Sequence, residues 1–200
     1  MPAGTKPQGD GRAIIFSAPS GAGKTTVVRH LISNPDLALG FSVSATTRAP
    51  RTGETDGQDY HFLTIEEFTS RLADHAFVEH EEVYDGLSYG TLCSEVERLW
   101  AEGRTPLFDV DVVGGQTLKS VFGDSALSIF VMPPSLEALE SRLRGRGTED
   151  EASVQKRLGK AAQELKAAQA FDVQLVNDDL EKAFAEATQL VENFLQSDPV

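Results

Sequence analysis

Between two apolar runs, Ala13-Ile14-Ile15-Phe16 and Val27-Val28, the chain reads Ser17-Ala18-Pro19-Ser20-Gly21-Ala22-Gly23-Lys24-Thr25-Thr26. No other stretch narrows the possible folds as far. The first run is short and apolar, as a buried strand is, and a helix is expected to open after Lys24. Glycines let the backbone curl until successive N–H groups point inward at an anion, and the helix behind adds its positive end. Ala18 to Thr25 matches the phosphate-binding pattern G-x-x-x-x-G-K-[ST] at every fixed position except the first, where Ala18 replaces glycine. Alanine is tolerated there unless φ must be positive. In such a P-loop the segment Ala18 to Thr26 would wrap the phosphates of a nucleoside triphosphate. Lys24 would reach the β- and γ-phosphates, and the Thr25 hydroxyl would ligate Mg²⁺.

A loop of this kind needs a parallel sheet, and the remaining chain has the pattern for one. Strands are expected at 13–17, 41–46, 60–63, 76–84, 106–110, 126–132 and 172–176, with helices between them. Helix starts are marked by Thr64 with Glu67, Thr148 with Glu151 and Asp178 with Glu181, each a capping box. Val154, Leu158, Ala161, Leu165 and Ala168 make one apolar helical face, and Leu180, Phe184, Ala187, Val191 and Leu195 another. Val96, Leu99 and Trp100 share a side before Gly103 ends their helix. The alternation argues for α/β architecture, with the polar stretch 47–60 and the span 60–92 as an excursion from the sheet.

Charge limits the partners. A formal net charge of −13 disfavours a nucleic-acid polymer, so phosphate must be met by local clusters of cations. No apolar run reaches the length of a membrane span, and residues 1–11 read as a disordered leader without the apolar core of a signal peptide. The single cysteine, Cys93, fits a reducing compartment, and cytoplasmic residence is expected. His30, His61, His75 and His80 share no metal-ligand spacing.

Two further stretches carry chemistry. Within residues 41–62, Arg48 and Arg51 lie three apart in a turn-prone segment followed by Tyr60. Guanidinium forks match phosphate oxygens, but surface arginines in a mobile loop would read the same way. In Thr105-Pro106-Leu107-Phe108-Asp109-Val110-Asp111, two carboxylates alternate with apolar residues at the end of a buried-type strand. They are costly there unless they meet a cation or a donor, and the carboxyl end of a parallel strand is where α/β proteins bind ligands.

With "SAPSGAGKTT", "FSVSATTRAPRTGETDGQDYHF", "FVEHEEV", "YGT", "FDVDVVGG", "RLRGRGTEDE" and "VNDDLEKA", the chain resembles the guanylate kinases over about residues 12–196. The resemblance implies Mg²⁺-dependent transfer of a phosphoryl group from ATP to GMP. It also implies a P-loop NTPase-type parallel sheet flanked by helices, a GMP-binding excursion at about 44–91, a helical lid at about 142–157, and a tail from 197. By the same resemblance Arg48, Arg51, Tyr60 and Tyr89 would hold the GMP phosphate, while Ser44, Glu79, Gly90, Thr91 and Asp111 would surround guanine. Guanine presents N1–H and an amine as donors, which suits the carboxylates of Glu79 and Asp111. Asp109 would lie next to the phosphates, Arg142, Arg146 and Arg157 would close over the transferring group, and Asn177 and Asp178 would lie near the ATP adenine. One departure stands out: "HEEVYDGLS", between Glu79 and "YGT", is one residue longer than the family's usual spacing, and Ser88 replaces a second tyrosine. Two alternatives remain open at this level: a non-catalytic guanylate-kinase-like module that binds phosphorylated partners, and a P-loop kinase for another nucleoside monophosphate.

Overall fold

The structure, a computed structural model, describes residues 4–145 and 151–197. The expected lid residue Arg146, Thr148 of the expected capping box, residues 1–3 of the leader and 198–200 of the tail lie outside the described residues. In chain order the first half contains β1 (Ala13–Ser17), α1 (Lys24–Ile32), β2 (Leu39–Phe41), β3 (Ala45–Thr46), β4 (His61–Phe62), α2 (Ile65–Ala73), β5 (Phe77–Tyr84) and β6 (Leu87–Leu92). The second half contains α3 (Cys93–Ala101), β7 (Thr105–Asp109), α4 (Val112–Phe122), β8 (Ala126–Met132), α5 (Leu136–Gly145), α6 (Glu151–Lys166), β9 (Val173–Val176) and α7 (Leu180–Gln196).

The main sheet is parallel throughout, in the order β2-β7-β1-β8-β9. Its central strand β1 is buried at every position, which explains the unbroken apolar run. Ile14 and Phe16 pack with Val27, Val28 and Leu31 of α1 and Ala187 and Val191 of α7. Ala13 and Ile15 turn to the opposite face, with Val96 of α3 and Leu118 and Phe122 of α4. Helices thus cover both faces, as parallel strands require.

A second, mixed sheet has the order β4-β3-β6-β5. Here the structure departs from the sequence expectation. The strand expected at 41–46 is divided between the two sheets: Ser42 N–H still donates to Leu107 O (3.0 Å), whereas Ala45 already pairs with Gly90 of β6 and His61 of β4. At the crossing, Val43 N–H donates to the buried Glu95 carboxylate (3.2 Å), which also takes Arg98 at 2.8 Å. Strand β6 had no expected counterpart, because Ser88, Gly90 and Thr91 dilute any apolar alternation. The longer segment before Tyr89 is absorbed by a bulge: Glu82 faces Ser88 but Tyr84 faces Leu87, so Val83 is the extra residue. Tyr89 therefore keeps its register opposite Thr46 and Glu81.

Helix ends follow local chemistry. Thr64 and Glu67 form the expected capping box, while α7 is capped by Asp179, one residue past the expected Asp178, through Lys182 N–H. Residues 4–11, expected as disordered leader, lie along β5 and α3: Thr5 N–H donates to Phe77 O (3.2 Å) and Gln8 N–H to Glu97 (2.8 Å). Cys93 is half-buried beside them, and burial pushes its thiol up to about 11. Helices α5 and α6 join through Leu139, Leu143, Val154 and Ala161.

The tightness of this packing can be tested at two helical glycines. A Cβ on Gly115 of α4 would lie 2.4 Å from Ser17 Oγ and 3.0 Å from the Phe171 ring, whereas Gly159 of α6 has no described neighbour within 4 Å. Helix propensity favours alanine at both by roughly 1 kcal/mol, but overpacking costs about 1–3 kcal/mol. Gly159→Ala is expected to stabilise by about 0.5–1 kcal/mol, and Gly115→Ala to destabilise by about 1–2 kcal/mol net. Urea denaturation should show midpoints moving in opposite directions.

Candidate active site

The loop after β1 is shaped by two glycines in the left-handed region, Gly21 (φ 94°) and Gly23 (φ 96°). Neither tolerates a side chain: a Cβ on Gly23 would meet Asn177 Nδ2 at 2.2 Å, and one on Gly21 would meet Leu143 Cδ2 at 2.9 Å. Ala18 is absent from the positive-φ positions, which is why alanine serves there. Helix α1 starts at Lys24 with no capping side chain and no acidic residue in its first turn, so its N–H groups remain directed at the loop.

Register in the main sheet brings the other half of the phosphate end. Phe16 lies opposite Asp109, and Lys24 Nζ reaches Asp109 Oδ1 at 2.6 Å while also donating to Val110 O. Thr25 Oγ1 donates to Asp109 Oδ2 at 3.2 Å. From the other side Arg142 of α5 donates to Asn177 O (2.8 Å) and Ala22 O (3.4 Å), Asn177 Nδ2 donates to Ala22 O (2.8 Å), and Arg157 of α6 approaches Ser20 Oγ at 3.5 Å. Asp178 is exposed next to Asn177. Pro19, Ser20, Thr25 and Thr26 line a cleft of about 440 Å³ that continues to Ser44, Tyr60 and Asp111, with Lys160 and Glu164 of α6 as its far wall.

A second hollow, about 270 Å³, shares Lys24, Ser44, Tyr60, Asp109 and Asp111 with that cleft and adds Glu79, Glu81, Tyr89 and Gly90. Above it, Arg48 is gripped by both oxygens of Glu54 (2.9 and 2.8 Å) and lies over the rings of Tyr60 (5.2 Å) and Phe62 (5.7 Å). Arg51 N–H donates to the same carboxylate at 2.7 Å, so Glu54 joins the two expected arginines, and Arg48 in turn lowers Glu54. Tyr60 and Tyr89 meet edge to face at 6.0 Å, and burial raises the Tyr60 phenol.

At the deep end, Glu79 is buried and accepts a hydrogen bond from Thr91 Oγ1 at 2.7 Å. Burial pushes its carboxyl up to about 7, with the charge of Asp111 adding to the effect. Asp111 caps α4 by accepting from Gly114 N–H (2.8 Å), and Ser17 Oγ donates to its backbone oxygen (2.8 Å). Two residues here escaped the sequence reading. Glu54 sits in a polar loop where acidic residues are commonplace. Glu81 reaches the pocket because it shares a strand face with Glu79; burial and a hydrogen bond with Asp111 push it up to about 7. The alternation of Glu79 and Glu81 was the available signal for the second.

A P-loop on a parallel α/β sheet, facing a second, carboxylate-lined pocket across one cleft, defines a nucleotide-binding phosphotransferase architecture. Comparison with known proteins narrows it. The family model for guanylate kinase matches residues 10–194. Guanylate kinase from Porphyromonas gingivalis is 48% identical over 184 residues, covering 92% of this chain and 98% of that protein. Guanylate kinase from Salinibacter ruber is 50% identical over 189 residues, covering 94% and 99% respectively. The crystal structure of guanylate kinase from Anaplasma phagocytophilum superposes with a TM-score of 0.73 at 31% identity, covering 94% of this chain and 87% of that one. The chain belongs to the guanylate kinase family.

The raised carboxyl of Glu79 has a cost in stability with a defined sign. At about 7 in the fold against an ordinary 4.5, it binds a proton between those values that the unfolded chain has released. Its favourable contribution is complete below about pH 4.5 and is lost as pH rises to about 7, by up to about 3 kcal/mol. Glu79→Gln keeps an acceptor for Thr91 and removes that loss. Urea denaturation should find the variant more stable than wild type near pH 8 and not near pH 4.5; a gap independent of pH would contradict the assignment.

Proposed function

We propose that this chain catalyses transfer of the ATP γ-phosphoryl group to GMP, giving ADP and GDP. The observation that carries the reading is one continuous cleft with the P-loop and Lys24 at one end and two carboxylates, the buried Glu79 and the half-buried Asp111, at the other. The names of the relatives at 48–50% identity favour the same reaction. ATP lies with its phosphates in the loop Ala18 to Thr26 and its adenine toward Asn177 and Asp178. GMP lies with its phosphate on Arg48, Arg51, Tyr60 and Tyr89, and its base among Ser44, Glu79, Gly90, Thr91 and Asp111. The Arg48 guanidinium exchanges Glu54 for phosphate oxygens, whereas Arg51 meets Glu54 through its backbone N–H and need not release it.

Lys24 leaves Asp109 for the β- and γ-phosphates, where charge builds up during transfer. Arg142 and Arg157, already within reach of the loop, close around the transferring group, with Arg146 between them in sequence. Closure also excludes water as a competing acceptor. The Thr25 hydroxyl beside the Asp109 carboxylate is a hard-oxygen environment of the kind Mg²⁺ takes. Thr25 would hold the ion, which when bound neutralises phosphate charge. No described helix is long and apolar enough to cross a membrane, and we place the protein in the cytoplasm, acting on small nucleotides.

The deciding assay couples ADP release to ATP and Mg²⁺ with GMP, AMP or UMP as acceptor. GMP should be strongly preferred; no turnover on any acceptor would indicate a binding module, and preference for another monophosphate would overturn the base assignment. Lys24→Met should lower kcat by at least about a hundredfold while the fold survives, because the ammonium that meets the charge building up in the transition state is lost. Near-normal turnover would remove Lys24 from the mechanism.

Base reading and phosphate reading should separate by mutation. Glu79→Gln or Asp111→Asn leaves a guanine donor poorly met in a dry pocket, at about 1–3 kcal/mol. Each should raise KM for GMP, narrow the GMP-over-AMP ratio in kcat/KM, and leave KM for ATP unchanged. Arg51→Ala should weaken GMP and AMP alike, since it reads charge and not base.

A further inference from the structure

Lys160 and Glu164 are absent from every assignment above, yet both wall the cleft that contains Lys24, Ser44, Tyr60 and Asp111. They lie one turn apart on α6, with Lys160 Nζ 3.5 Å from Glu164 Oε1. Glu164 is well covered (side chain 14% exposed), whereas Lys160 is 66% exposed. With its lysine largely in solvent and 3.5 Å between the charges, this pair holds Lys160 weakly. Lys160 also lies three residues beyond Arg157, on the neighbouring position of the same helix face.

Opposite it, the deep end of the site gathers Glu79, Glu81 and Asp111. Glu79 and Glu81 share a face of β5, and α4 opens against them: a Cβ on Gly114 would lie 3.3 Å from both Asp111 Oδ1 and Glu79 Oε2. A nucleotide bringing its own phosphate charge enters this acidic pocket at an electrostatic cost. Two of the other cations nearby are committed elsewhere. Lys24 pairs with Asp109, and Arg48 with Glu54, both at the phosphate end. Lys160 lines the same cleft as Asp111, and its charge lowers Glu81, opposing the burial and Asp111 that raise it.

We infer that Lys160 is a positioning residue for guanine recognition: when the nucleotide is seated its ammonium moves from Glu164 to Glu81 and Asp111, offsets their repulsion, and holds them as acceptors toward the base. The inference rests on the assignment of Glu79 and Asp111 to guanine.

The test measures kcat and KM for GMP, AMP and ATP in wild type, Lys160→Met, Lys160→Arg, Glu81→Gln and the Glu81→Gln/Lys160→Met double variant, with urea midpoints confirming folding. Lys160→Met should raise KM for GMP about tenfold, as expected for loss of a charge-assisted contact. KM for ATP should be unchanged, KM for AMP should change less, and Lys160→Arg should restore most of the GMP affinity. In the double variant the two effects should not multiply, because the Glu81–Asp111 repulsion that Lys160 offsets is already gone. Unchanged KM for GMP in Lys160→Met, equal losses for GMP and AMP, or fully multiplicative effects would each overturn the inference. If Glu79→Gln and Asp111→Asn themselves leave the GMP-over-AMP ratio intact, the base assignment fails. If they collapse it while Lys160→Met is silent, only the role of Lys160 fails.

Discussion

Burial of β1 on both faces, between β7 and β8, is the constraint on which the site depends. A strand enclosed on all sides has one allowed register, since slipping it by one residue would exchange its two apolar faces. That register sets Phe16 opposite Asp109 and Ser17 opposite Phe130, so the chain leaves the sheet beside the carboxyl end of β7. Lys24 is then within 2.6 Å of Asp109, and Ser17 within 2.8 Å of the Asp111 backbone that opens α4. Without this clamp the P-loop would still curl, but it would have no fixed relation to the rest of the cleft.

The electrostatics follow from the same placement. A chain of net charge −13 holds its cations where the sheet ends: Lys24 on Asp109, Arg48 on Glu54, Arg142 on the carbonyls of Asn177 and Ala22. Each is oriented by a partner within the protein before any ligand arrives. At the other end burial drives Glu79 and Glu81 up to about 7, a local penalty that a purely structural pocket would avoid by using apolar residues. Carboxylates kept at such cost are the pattern expected of a recognition surface.

The limits of what the sequence reveals are physical. The strand at 126–132 and the central strand at 13–17 were legible to the residue because a doubly buried parallel strand is an uninterrupted apolar run. The strand expected at 41–46 reads as one in the sequence, because its division is visible only in the fold, where Glu95, far along the chain, takes the N–H of Val43. Strand β6 was invisible for a related reason: Gly90 is there because β5 passes so close that a Cβ would lie 2.8 Å from Glu79 O, and that proximity exists only in the folded sheet. The pairing of Arg48 and Arg51 through Glu54 belongs to the same class, since three polar residues in a loop carry no periodicity from which a contact can be read.

What the sequence by itself determined is local. The spacing of Gly21, Gly23 and Lys24 specifies a backbone curl and a helix start, and these depend on backbone torsions and hydrogen bonds within a few residues. The guanylate kinase motifs, too, are readable as strings, and they suffice to carry the resemblance to that family. Tertiary structure alone decided the surroundings of those strings: the bulge at Val83 that keeps Tyr89 in register, the approach of Glu81 to Asp111, and the position of Lys160 across the cleft. Each depends on segments distant in sequence being brought within a few ångströms. Such proximity is set by the packing of two sheets and seven helices among the described residues, and is encoded at no single stretch of the chain.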